Sequence, residues 1–151
     1  MMAARSIDRA AVVAEARSWI GTPYLHQASL KGVGCDCLGL VRGVWRSIFG
    51  DEPEAPPAYS RDWAEALARE TLAEAAGRHM VPVALKDIKP GDVLLYAMKD
   101  HAPAKHCAIM SADTLMIHAI EAHPVAEVTL WNPRSAGRRL RFAFAFPGLS
   151  S

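Results

Sequence analysis

The feature that most constrains this chain is a change of hydrophobic period at about residue 89. Before it, apolar residues recur at helical spacing. Ser6 is expected to cap a first helix, with Asp8 in its opening turn and Val12, Val13, Ala16 and Ile20 as the buried stripe, until Gly21-Thr22-Pro23 stops it. A second helix is expected over residues 37–49, ending at Gly50 and burying Leu40, Val41, Val44, Trp45 and Ile48. A third should begin at Ser60, turn Trp63, Leu67 and Leu72 inward and end at Gly77. Residues 24–33 read as an irregular connection, and 51–59, with Pro53, Pro56 and Pro57, as a stiff surface loop. After the Lys89-Pro90-Gly91-Asp92 turn the runs are short and strand-like: 93–96, then 106–110 and 115–119 as a hairpin, then 125–131. Leu140, Phe142, Phe144 and Phe146 alternate with Arg141, Ala143 and Ala145 in a last, half-buried strand. Helices first and consecutive strands after imply an α+β fold, with N-terminal helices packed on a C-terminal antiparallel β-sheet.

Residues 1–151 suffice for a single domain with its own core. A net charge of +1 gives no electrostatic case for nucleic acid, and the Arg138, Arg139 and Arg141 group reads as a solvated strand face. No run approaches the roughly 20 apolar residues that span a bilayer, so no membrane insertion is expected. Residues 6–20 are amphipathic and lack a basic segment followed by an apolar core, so no signal peptide is expected. Three cysteines, with Cys35 and Cys37 too close to staple anything, argue against a disulfide framework and for synthesis in the reducing cytoplasm.

The chemistry concentrates in Gly34-Cys35-Asp36-Cys37-Leu38-Gly39-Leu40-Val41. Asp36 is a good N-cap, which puts the Cys37 sulfur at a helix N-terminus. Unpaired N–H groups and the helix dipole favour a thiolate there, and the thiolate is the nucleophile. Gly39 in the first helical turn costs about 1 kcal/mol relative to Ala, better explained by a close backbone approach than by chance. Such a cysteine needs a base, and the base an orienting partner. His106 opens an apolar strand and His118 lies near the end of its hairpin mate, although each could equally be a packed strand histidine. His26, His79, His101 and His123 read as surface residues, Cys107 as a small buried hydrophobe and Cys35 as a structural thiol. Tyr24, just after Gly21-Thr22-Pro23, is either an interface tyrosine or a hydroxyl that helps bind an oxyanion beside the Cys37 N–H.

Gly21-Thr22-Pro23-Tyr24, Asp36-Cys37-Leu38-Gly39-Leu40-Val41, Pro90-Gly91-Asp92-Val93-Leu94, His106-Cys107-Ala108-Ile109 and Met116-Ile117-His118-Ala119 together resemble the NlpC family of papain-like cell-wall cysteine peptidases. Each segment is short; five in order, from about residue 10 to the last strand, are specific. The resemblance implies Cys37 as nucleophile, His106 as general base, His118 as the third residue, Tyr24 on the oxyanion side and Asp36 as the turn aspartate. It implies peptidoglycan stem peptide as substrate, commonly at a D-γ-glutamyl bond to a diamino acid, and no cofactor or metal. The run from Cys35 to Trp45 looks most like the phage and gene-transfer-agent branch, which implies partnership with phage tail or gene-transfer-agent particle proteins and carriage to the wall on a virion-like particle. Leu38 departs from the Ser of most members.

Other readings stay open at this level. Cys35, Cys37, His106, Cys107 and His118 could hold a structural zinc, although Cys-x-Cys is a poor ligand spacing and His106 and Cys107 should point to opposite strand faces. The same fold could transfer an acyl group, act as an amidase on another amide, or serve as a catalytically silent tail or adaptor protein.

Overall fold

The computed structural model describes residues 7–54, 70–131 and 139–149. Its helices are α1 (Arg9–Arg17), α2 (Cys37–Phe49) and α3 (Thr71–His79). A small hairpin pairs β1 (Ser29–Leu30) with β2 (Gly34–Cys35) ahead of α2. The main sheet has β3 (Val81–Val83), β4 (Val93–Ala97), β5 (Ala104–Ala112), β6 (Leu115–His118), β7 (Ala126–Thr129) and β8 (Arg139–Ala145), in the order β3-β8-β4-β5-β6-β7. Every neighbouring pair is antiparallel, as the order of periodicities requires.

Strand β4 is buried along its whole length because β8 and β5 flank it and both its faces are covered. One sheet face meets the helices through Val93, Leu95, Cys107, Ile109, Ile117 and Phe144, against Val12, Leu40, Val44 and Leu72. The other face gathers Leu94, Tyr96, Ala108, Met110, Met116 and Ala143, with Trp131 packed against them. α2 meets the turn after α1 at a glycine: a Cβ on Gly43 would lie 2.0 Å from Cζ2 of Trp19, so the indole packs directly against the α2 backbone. The start of α1 is tied to the turn before β4 by a partly buried ion pair, Arg9 Nη1 to the buried Asp92 Oδ1 at 2.8 Å. Asp92 Oδ2 also accepts from the backbone N–H of Lys89.

Several local expectations need correction. Asp8, not Ser6, caps α1, its carboxylate accepting from Ala10 N at 2.9 Å; Ser6 lies outside the described residues. The helix ends at Arg17, so the next turn swings Trp19 inward at 3% exposure and leaves Ile20 outside at 45%. The 24–33 connection is not wholly irregular, since it contains β1; two residues are too few to carry a period. Gly77 does not end α3, which continues to His79. The expected start of that helix at Ser60, with Trp63 and Leu67, lies outside the described residues, as do Pro56, Pro57 and Arg138. The three-residue edge strand β3 went unforeseen because Pro82 sits at its centre, and Pro is tolerated only at such an edge.

A candidate active site at the start of α2

α2 begins where expected, and Asp36 holds its N-terminus with both carboxylate oxygens. Oδ1 accepts from Gly39 N at 2.7 Å, closing the cap, and Oδ2 accepts from Gln27 N at 2.7 Å, fastening the upstream loop. Gly39 is required by close approach: a Cβ there would sit 1.9 Å from the carbonyl oxygen of Ala28. On the far side of that contact, Ser29 Oγ donates to the Gly39 carbonyl at 2.6 Å and Arg46 Nη2 donates to the Ser29 carbonyl at 2.6 Å. Tyr24 enters through a backbone bridge to Cys35, two residues before Cys37, and is half-buried against the core. The first turn of α2 therefore has fixed N–H groups around a half-buried Cys37, those of the first turn lacking intrahelical acceptors.

Cys37 faces β5. Its thiol donates to the carbonyl of Lys105, Sγ to O 3.9 Å. β5 begins at Ala104, yet its pairing with β6 begins only at Ile109↔Ile117, so its first residues are bonded to β4 alone. His106 and Cys107 lie in that stretch and, as strand neighbours, turn to opposite faces: Cys107 joins the helix-side core, His106 the side of Tyr96 and Trp131. His106 Nε2 lies 2.9 Å from His118 Nδ1, and both imidazoles are buried. With Nε2 so engaged, Nδ1 is the nitrogen of His106 left for Cys37. Trp131, at the exit from β7, stacks on His106 with ring centroids 4.9 Å apart and meets His118 edge-on at 5.0 Å.

The three thiols are electrostatically distinct. Cys37 is held well below the usual thiol range, first by the hydrogen bond from the Cys107 thiol and then by the positive charge and hydrogen bond of His106; burial and the Asp36 carboxylate oppose this. Cys107 is pushed well up, since it stays the donor to Cys37 and is itself buried. Cys35 is pushed up to about 12 by burial, with the charges of Asp36 and Cys37 adding to it. Cys107 is thus more than the packed hydrophobe its apolar run suggested. Leu38 packs into an apolar pocket of about 110 Å³ that Cys107, Val41, Leu72 and Leu95 also line, so its side chain is used away from the thiol. His79 lies partly exposed at the surface, with Nε2 2.7 Å from Oε1 of the exposed Glu54. His26, half-buried, places Nδ1 3.9 Å from Asp36 Oδ2.

The structure thus brings together Cys37, His106 and His118, with Asp36 and Gly39 as turn supports, and puts Tyr24 beside the same turn. The NlpC/P60 family profile matches residues 21–139, which takes in all of them. The chain belongs to the NlpC/P60 family. A probable endopeptidase of Mycobacterium tuberculosis is 34% identical over 112 residues, 74% of this chain and 23% of that protein. A gamma-DL-glutamyl hydrolase of Bacillus subtilis is 28% identical over 132 residues, 85% of this chain and 28% of that protein. The chain therefore spans about a quarter of the length of these curated relatives. Among solved structures, the NlpC/p60 domain of the peptidoglycan hydrolase SagA superposes with a TM-score of 0.64 at 23% identity, covering 93% of this chain and all of that one. The peptidoglycan hydrolase RipB of Mycobacterium tuberculosis gives 0.55 at 24% identity, over 90% of this chain and 64% of that one. These neighbours share the α+β papain-like fold. Among the described residues, no three His, Cys, Asp or Glu side chains converge as metal ligands would, and no helix is long and apolar enough to cross a membrane.

Proposed function

We propose that this domain is a cysteine peptidase of peptidoglycan stem peptides, acting at an amide bond made by a D-γ-glutamyl carbonyl. The observation that carries the reading is a Cys37 thiol at a helix N-terminus, lowered in part by His106, together with the 2.9 Å contact of His106 Nε2 and His118 Nδ1. The Bacillus subtilis relative, named for γ-glutamyl hydrolysis, supports the bond class.

In this mechanism His106 Nδ1 takes the Cys37 proton, and the thiolate attacks the scissile carbonyl carbon. His118 accepts the Nε2–H of His106, fixing the tautomer that leaves Nδ1 basic. The oxyanion forms against the Cys37 N–H, with the Tyr24 hydroxyl as a second donor. The imidazolium protonates the leaving amine as the C–N bond breaks, giving a thioester. Water, deprotonated by His106, then attacks the thioester, releases the carboxylic acid and restores the thiol. Asp36 and Gly39 hold the turn and touch no reacting atom.

The experiment is digestion of purified muropeptides by the wild-type chain and by Cys37→Ala, with products identified by mass spectrometry. New D-γ-glutamyl carboxylates with wild type alone support the reading; equal product patterns overturn it. We also assign the protein to the phage and gene-transfer-agent branch, on the wording of residues 35–45. Absence of the protein from purified particles of its producing strain would remove that part.

A further inference from the structure

The two histidines account for only part of the aromatic cluster around them. Trp131 sits just beyond β7, where Leu130 N donates to the Thr114 carbonyl at 2.9 Å and so anchors the chain against the β5–β6 turn. Its ring lies nearly parallel to His106, at 23°, and nearly perpendicular to His118, at 82°. The histidine rings themselves meet at 81° with centroids 5.1 Å apart. Tyr96, buried at 1% exposure and opposite His106 in the β4–β5 register, braces Trp131 edge-on at 5.3 Å. Three rings thus close a triangle, with a fourth behind it.

This arrangement has two consequences beyond filling space. An imidazole can rotate about χ2, and a half-turn would exchange its nitrogens with its carbons; a stacked indole on one face and an edge-on partner resist that rotation. Covering the His106–His118 hydrogen bond from water strengthens it further.

Taking Cys37 and His106 as the working pair proposed above, we infer that Trp131 is a positioning residue of this site, holding His106 with Nε2 on His118 and Nδ1 on Cys37. In this role it acts through the histidine.

The test is the pH dependence of Cys37 alkylation by iodoacetamide, read residue by residue by mass spectrometry, in wild type, Trp131→Phe, Trp131→Leu, Trp131→Ala and His106→Ala. Trp131→Leu keeps apolar bulk without a π face, and Trp131→Phe keeps a stackable ring. The inference expects Trp131→Leu and Trp131→Ala to lose about tenfold in Cys37 alkylation at pH 6 and to move the profile to higher pH, with Trp131→Phe restoring most of it. On muropeptides, the loss should fall on kcat with KM little changed. If His106→Ala moves the profile and folded Trp131→Leu does not, the Trp131 role is overturned and the Cys–His reading stands. If His106→Ala leaves the profile at its wild-type position, the Cys–His pairing fails, and the Trp131 role with it. Should Trp131→Ala fail to fold, the comparison of Leu with Phe decides: equal profiles overturn the role, and rescue by Phe supports it.

Discussion

Cys37 and the two histidines near it are held in place by opposite means. Cys37 sits in a network local in sequence: Asp36 to Gly39 and Gln27, Ser29 to Gly39, Arg46 to Ser29, all between residues 27 and 46. His106 and His118 are brought together by the antiparallel register of β5 and β6 and are packed by a tryptophan from beyond β7. The local network fixes a backbone, so damage to it should appear as lost stability. The sheet register fixes the orientation of rings, so damage there should appear as lost chemistry in a folded protein.

The sharpest way to break this contrast is His106→Ala, which should lower kcat/KM on muropeptides by about 10³-fold, roughly 4 kcal/mol in barrier, while the thermal midpoint stays within a few degrees. Next comes Gly39→Ala. A methyl group aimed at the Ala28 carbonyl must push the loop from α2, and denaturant unfolding should show a loss of about 3 kcal/mol. His118→Ala should cost about 10²-fold in kcat, and His118→Asn, which keeps an acceptor for His106, should recover part of it. The smallest effect is that of Asp36→Ala, about 2 kcal/mol in unfolding experiments from the lost cap and the lost Gln27 bond. Its sign on the thiol is opposite to its sign on stability. The Asp36 charge works against the Cys37 thiolate, so its removal should move Cys37 alkylation to lower pH in whatever fraction stays folded. An Asp36→Ala profile that moves to higher pH would mean that the cap, not the charge, governs the thiol.

The same contrast explains what could be read from residues alone. The Asp36 cap and the close approach at Gly39 were legible in eight consecutive residues, and the bounds of α2 in the run from Asp36 to Gly50, because all three are local properties. The strands from β4 to β8 were legible because their periods are clear, and their unbroken succession implied the antiparallel sheet. His106 and His118 could be nominated from strand position, whereas the 2.9 Å contact depends on a register that no short window encodes. Trp131 was visible only as the end of a strand, because the ring it covers lies 25 residues earlier in the chain. The ties from Gln27 and Ser29 were missed for a related reason: they run through a loop whose only regular piece, β1, is two residues long.

One further consequence follows from His106 and Cys107 being adjacent on a strand. Their placement is assigned by parity: from His106 to Met110 the even positions of β5 look toward the Trp131 side and the odd ones toward the helices, whereas Ala104, before the irregularity, packs on the helix side. A slip of one position would present a thiol to the indole and an imidazole to the helix-side core, with every backbone hydrogen bond between β4 and β5 still available. The register irregularity at Tyr96/Ala97, opposite Ala104 and His106, absorbs one extra residue just before the pair. It thereby sets which of two neighbouring side chains, the imidazole or the thiol, turns to the indole and which to the helices.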